Sequence, residues 1–389
     1  FCITRLHVTC SNPKDVGRRK TSTSIFLTIM LVSVTSLPIS GEYQDDTWLG
    51  NVIGPERLEA GDEFGCQTPE SALLSNNFDF VEECKAYLSG RINASRWGEQ
   101  PISIGTPQGD LSSEFRDVLH NSGFTVVGDL SNSDDDRFTV IHRNGGSIES
   151  GLSNRSLIES ADEGELISLY WIARIDDMNI RRDRDLVEWL SDQDYWFTTW
   201  GEWVTHQKSS SSITVEINSN SATFSNPTLN IWNTPGTVLL ENVGQDITLE
   251  WSGVQYDPLE KDERILRAGH REDTDGLLYL TIPPGDSVTI HSPQALAISH
   301  SPSIFNGLKN GITIAGHHTT NMREWSQDFR DAPLRFTWLI ERSEIPSPTL
   351  VLPLLSISIL IATPVIIRKI IANDKEHQRS ISGPSIITP

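Results

Sequence analysis

The segment GTPQGD, Gly105 to Asp110, follows the apolar stretch PISIG and precedes a helical pattern. A glycine-bounded turn between strand and helix can gather unpaired backbone N–H groups around an anion. The phosphate-loop Lys-Ser/Thr and the dinucleotide glycine spacing are both missing, and Asp110 would repel phosphate. Asp110 is therefore either a polar contact for a ligand or a residue of an ordinary strand-to-helix turn.

A second candidate is the aromatic run DYWFTTWGEW, residues 194–203. Read as a strand, it places Trp196 and Trp200 on one face, with Trp203 following. Tryptophans at such spacing bind a sugar or peptide when exposed and fill a core when buried. Metal chemistry has two candidate sources. His317-His318 lies in the stretch AGHHTT, and Asp273 and Asp275 lie in EDTDG. Zinc needs three or four converging ligands, and no HExxH or HxH spacing occurs. The helix-loop-helix calcium pattern fails as well, because Arg271 and Ile282 occupy ligand positions. Calcium on a looser loop is the one cofactor the acidic composition invites. GGSIE and GLSNR each lack the closing glycine of a GxSxG nucleophile turn, so no catalytic residue is marked by motif.

The elements that would position these residues fall into two regions. In residues 43–206, FVEECKAYL (80–88) has helical spacing, with Phe80, Cys84, Tyr87 and Leu88 on one face. PISIG (101–105), SSEFRDVLHNSG (112–123) and FTVVGDL (124–130) predict strand, helix and strand, with Ser112 as the helix N-cap. That is one parallel crossover unit. RFTVIHR and LISLYWIARI predict further strands, and DLVEWLSD a helix. The serine-rich stretch 207–212 has linker composition. Residues 213–343 show short runs of period-two alternation, such as DITLEW, LLYLTI and LRFTWLIE. Runs of this kind separated by turn signals predict an antiparallel β-sandwich.

The ends differ from the middle. Residues 350–367 carry no charge and are followed by Arg368-Lys369, the pattern of a membrane-spanning helix after a short stalk, 344–349. Residues 1–40 combine Arg18-Arg19-Lys20 with an uncharged apolar stretch, as in a signal peptide cleaved after Ser36 or Ser40, or an anchor. Residues 1–20 are net +4 and 368–389 net +2, so of the chain's −21 the part between carries −27. Basic flanks place the C-terminal tail, 368–389, in the cytoplasm and the acidic bulk outside. So acidic a surface argues against nucleic acid as a partner. Cys66 and Cys84 are the cysteines of that bulk and predict a disulfide. Asn93 and Asn154 head glycosylation triplets.

The fold class expected is thus α+β: an N-terminal α/β head, an antiparallel β-sandwich and one C-terminal transmembrane helix. The expected function is that of a single-pass, membrane-anchored cell-surface protein, acting in recognition or structural presentation of an envelope glycan or protein partner. The alternative is a tethered hydrolase with its site in the α/β head. Acids and histidines converging in the head would favour the enzyme, and an exposed tryptophan patch the binder.

Overall fold

The structure is a computed structural model that describes residues 43, 47–51, 53–148, 155–173, 184–243, 246–273, 276–318, 333–342 and 351–381. Strands β1 (Glu63–Gln67), β2 (Ser103–Asp110), β3 (Val126–Asn132), β4 (Thr139–His142), β5 (Leu166–Ala173) and β6 (Trp196–Phe197) come first. Next come β7 (Thr214–Ile217), β8 (Ser221–Ser225), β9 (Gly236–Glu241), β10 (Thr248–Trp251) and β11 (Val254–Gln255). Then follow β12 (Gly269–Glu272), β13 (Leu278–Ile282), β14 (Ser287–His291) and β15 (Ser299–Ser303). Last are β16 (Gly311–His318) and β17 (Phe336–Ile340).

Eight strands form one parallel sheet in the order β4-β3-β2-β1-β17-β16-β5, with β6 beside the start of β16. Its central strands β1 and β17 are buried along their whole length, so both faces are covered. The outer face packs on the helices Phe80–Ser89, Ser113–Asn121 and Arg184–Ser191 through Phe80, Phe115, Leu119 and Leu190. Ser112 caps the second of these, its hydroxyl accepting from Phe115 N at 3.2 Å. Cys66 on β1 is disulfide-bonded to Cys84 on the first. An 18-residue separation gives a stabilisation of about 3 kcal/mol by restricting the unfolded chain.

The sheet curls until it nearly closes. Residues just after β4 bond the open edge of β5: Gly145 N and Ile148 N donate to Ser168 and Tyr170 carbonyls, and Tyr170 N to that of Gly146. Trp200 fills the interior. Its indole N–H donates to Ser168 on β5 at 2.9 Å, while a Cβ on Gly128 of β3 would lie 2.4 Å from the same ring. One side chain spans strands at opposite ends of the sheet order, which a flat sheet would hold far apart.

Several expectations are corrected here. The run LRFTWLIE is not part of the antiparallel region. It becomes β17, at the centre of the parallel sheet, next to β1. Period-two alternation suits a strand of either kind, and the pairing partner cannot be read from it. The antiparallel strands β7–β15 are therefore inserted between β6 and β16. They form two sheets, β11-β10-β14-β8-β7 and β12-β13-β9-β15, which share a core of Phe224, Val238, Leu240, Leu280, Val288 and Ile290. The serine-rich stretch 207–212 is the end of the helix Trp200–Ser212 rather than a coil. Ser210 and Ser211 donate to the carbonyls of His206 and Gln207, and Ser210 also accepts from Thr237 N. Those bonds into the neighbouring β9 hold serines in a helix that their propensity disfavours.

Residues 1–41 and 344–389 make up a unit separate from 42–343, and of it the helix Val351–Ile381 is described. Among the described residues no helix is long and apolar enough to cross a membrane. The uncharged part of this helix ends at Arg368. Pro364 interrupts that stretch, and Arg368, Lys369, Asp374 and Lys375 continue the same helix. This removes the transmembrane helix at 350–367, the membrane as a partner, and the single-pass surface location inferred from it. The expected signal segment 1–40 and stalk 344–349 lie outside the described residues.

Candidate active site

In a parallel sheet every strand ends at the same edge, and polar residues placed there converge. At that edge Tyr170 of β5, His317 of β16 and Glu341, the residue after β17, form a chain across three neighbouring strands. His317 Nδ1 lies 3.1 Å from the Tyr170 hydroxyl, and His317 Nε2 is hydrogen-bonded to Glu341 Oε2. The spacing follows from strand geometry. Tyr170 pairs with Ala315, and His317 with Leu339. Tyr170, His317 and Glu341 thus step two residues upward per strand on the interior face, which meets diagonally. All three are shielded: His317 is 18% and Glu341 13% exposed, and Tyr170 is buried.

An ionised carboxylate only accepts hydrogen bonds, so Glu341 fixes the proton of neutral His317 on Nε2. Nδ1 is then the acceptor for the Tyr170 O–H. The Arg143 guanidinium lies 3.5 Å from the centroid of the Tyr170 ring. The guanidinium thus covers the face of the ring as a cation–π partner. Together these groups can draw a proton from Tyr170 toward His317.

Gln67 stands in the same row. Cys66 pairs with Ile340, so Gln67 falls beside Glu341 on the interior face. Its side chain lies over Gly105, where a Cβ would come 2.1 Å from Gln67 Oε1. Among the described residues that oxygen is buried without a hydrogen-bond partner, an acceptor left open toward this edge.

The candidates from sequence distribute as follows. His317 belongs to the Tyr–His–Glu chain and not to a metal cluster. Among the described residues no group of three or more His, Cys, Asp or Glu could hold a metal ion. The side chains of His318 and the whole of Asp275 lie outside what is described, and Asp273 pairs with Arg271 at 3.3 Å. Asp110 is exposed at the end of β2, past a register shift between Thr106 and Gly109. Trp196, Trp200 and Trp203 are buried, so they form no platform. The run that carries them is not one strand: β6 ends at Phe197, and Thr199 caps the helix that begins at Trp200. Asn93 is exposed, and Asn154 lies outside the described residues.

Sequence reasoning missed Tyr170, Glu341, Arg143 and Gln67. A usable signal was present: the apolar strands end in Gln67-Thr68, His317-His318 and Glu341, polar residues where the chain leaves the sheet. Compared with protein-family models, with curated proteins and with solved structures, the chain matches none of them.

Proposed function

We propose that the chain is a hydrolase whose acid–base chemistry is carried by Tyr170, His317 and Glu341 at the carboxyl mouth of the parallel sheet. The supporting observation is the continuous Tyr170–His317–Glu341 hydrogen-bond chain, at the edge where parallel sheets of this curled kind place reactive groups. With all three tryptophans buried, the recognition reading loses the surface it rested on.

In this mechanism the Tyr170 proton moves to His317 Nδ1, and Glu341 stabilises the imidazolium. The phenolate, held beneath Arg143, takes a proton from water as that water attacks the electrophilic centre of the substrate. The proton stored on His317 returns through Tyr170 to the leaving group, restoring the starting state. Gln67 Oε1 receives an N–H or O–H of the bound substrate and fixes its orientation.

A panel of ester, phosphodiester and glycoside substrates tests the reading. Turnover by the wild type should fall about 10²–10⁴-fold in Tyr170→Phe, His317→Ala and Glu341→Gln. Turnover that survives all three substitutions contradicts it.

A further inference from the structure

The opposite, amino mouth of the sheet holds a charged cluster that this chemistry does not use. Asp62 accepts from Arg57 Nε at 2.5 Å, from Trp338 Nε1 at 2.8 Å and from Phe336 N at 3.1 Å. Glu202 accepts from Arg96 at 3.0 Å, from the Trp97 indole and from Thr198 at 3.1 Å. These two carboxylates are therefore each matched by one guanidinium and filled with donors. Arg335 is left over.

Arg335 is 8% exposed and makes no ion pair among the described residues. Its Nε is buried without a partner, and its Nη1 reaches only the Leu334 carbonyl, at 3.4 Å. Burial holds its pKa below the usual arginine value, Arg57 and Arg96 add to that, and Asp62 and Glu202 oppose it. Gly61, at φ +100°, has no side chain to part the two arginines that flank it. A Cβ there would lie 3.1 Å from Arg335 Nε and 3.6 Å from Arg96 Cζ. The two guanidinium groups therefore stand within about 7 Å of each other across that space, close enough to share one small anion. Arg96, its side chain 26% exposed, gives the cluster an opening to solvent.

We propose that Arg335 and Arg96 form an oxyanion-binding site beside Gly61, taking a phosphate or carboxylate group of a small ligand. A planar guanidinium offers paired N–H donors to such a group, and a buried cation with empty donors gains most from a matching charge. The site is independent of the hydrolase reading. Arg335 precedes β17 and Glu341 follows it, about 20 Å apart along an extended strand.

Thermal unfolding of the full chain in inorganic phosphate and in acetate, against chloride at equal ionic strength, tests the proposal. We expect a saturable rise of about 2 °C or more. A rise in phosphate identifies a phosphate-bearing ligand, and one in acetate a carboxylate. Arg335→Met should lose the response and unfold at a higher temperature than the wild type in chloride, because an unmatched buried charge is gone. His317→Ala should keep the response. Phosphorus NMR line broadening of phosphate by the wild type reads the same site without a variant. A flat response to both anions, or an equal response in Arg335→Met, would overturn the proposal.

Discussion

The two mouths of the parallel sheet use similar residues to opposite ends. At the amino mouth Glu63 and Glu202 are buried against the start of the helix Trp200–Ser212. Gly201 N donates to Glu63 at 2.7 Å, Thr199 caps Glu202 N, and Thr337 accepts from Trp200 N at 2.9 Å. These bonds plug the sheet and fix Trp200 inside it. At the carboxyl mouth Glu341 holds a histidine whose second nitrogen leads on to a phenol, and Gln67 keeps an acceptor unfilled. A carboxyl group bonded to a backbone N–H, as Glu63 is to Gly201, holds a helix start in place. One bonded to a titratable ring can move a proton. Partner identity, rather than burial, separates the two roles.

Substitutions can break this contrast. The largest effect should come from the carboxyl mouth: His317→Ala loses about 10²–10⁴-fold in turnover with an unchanged melting temperature. If stability collapses instead, the two mouths are alike. Next is Glu63→Gln. Burial raises the Glu63 pKa to about 7, above the unfolded value, so the folded state holds the proton more tightly. Stability from this group is full below about pH 4.5 and declines as pH rises to about 7. Above that, Glu63→Gln should be more stable than wild type by about 3 kcal/mol, with turnover intact. Urea unfolding from pH 4.5 to 8 measures the difference. His206 acts in the other direction: burial lowers its pKa to about 3, so its contribution is lost as pH falls below about 6.5. Both proteins carry it, so it cancels. Gly128→Ala should cost about 1–3 kcal/mol by pushing Trp200 out of place. Thr199→Ala, which removes a helix cap, should cost about 1 kcal/mol. Chemical denaturation checks both.

Local elements were legible in the sequence where a single period and a cap agree. The helices at 80–89 and 113–121 and strands β3, β5, β10 and β13 fall close to the stretches that predict them. Pairing was not legible. LRFTWLIE alternates like a half-buried strand, yet it sits between β1 and β16, brought there by an insertion of nine strands. Nothing local to residues 334–341 encodes that return. The serine run illustrates the reverse, a coil-like composition held helical by tertiary hydrogen bonds. The site was legible only in part. His317 stood out as a histidine, but its partners are an aromatic inside an apolar strand and a glutamate 24 residues on. Their convergence depends on the strand order β5-β16-β17, which sequence spacing does not contain.

The most direct measurement is the nitrogen-15 spectrum of the His317 imidazole at neutral pH in wild type, Glu341→Gln and Tyr170→Phe. The wild type should show one tautomer, protonated at Nε2, with Nδ1 an acceptor whose shift changes when the Tyr170 hydroxyl is removed. Glu341→Gln should weaken the hold on Nε2–H and release the second tautomer. An Nδ1-protonated ring, or an averaged pair indifferent to both substitutions, would contradict a Tyr170–His317–Glu341 proton path.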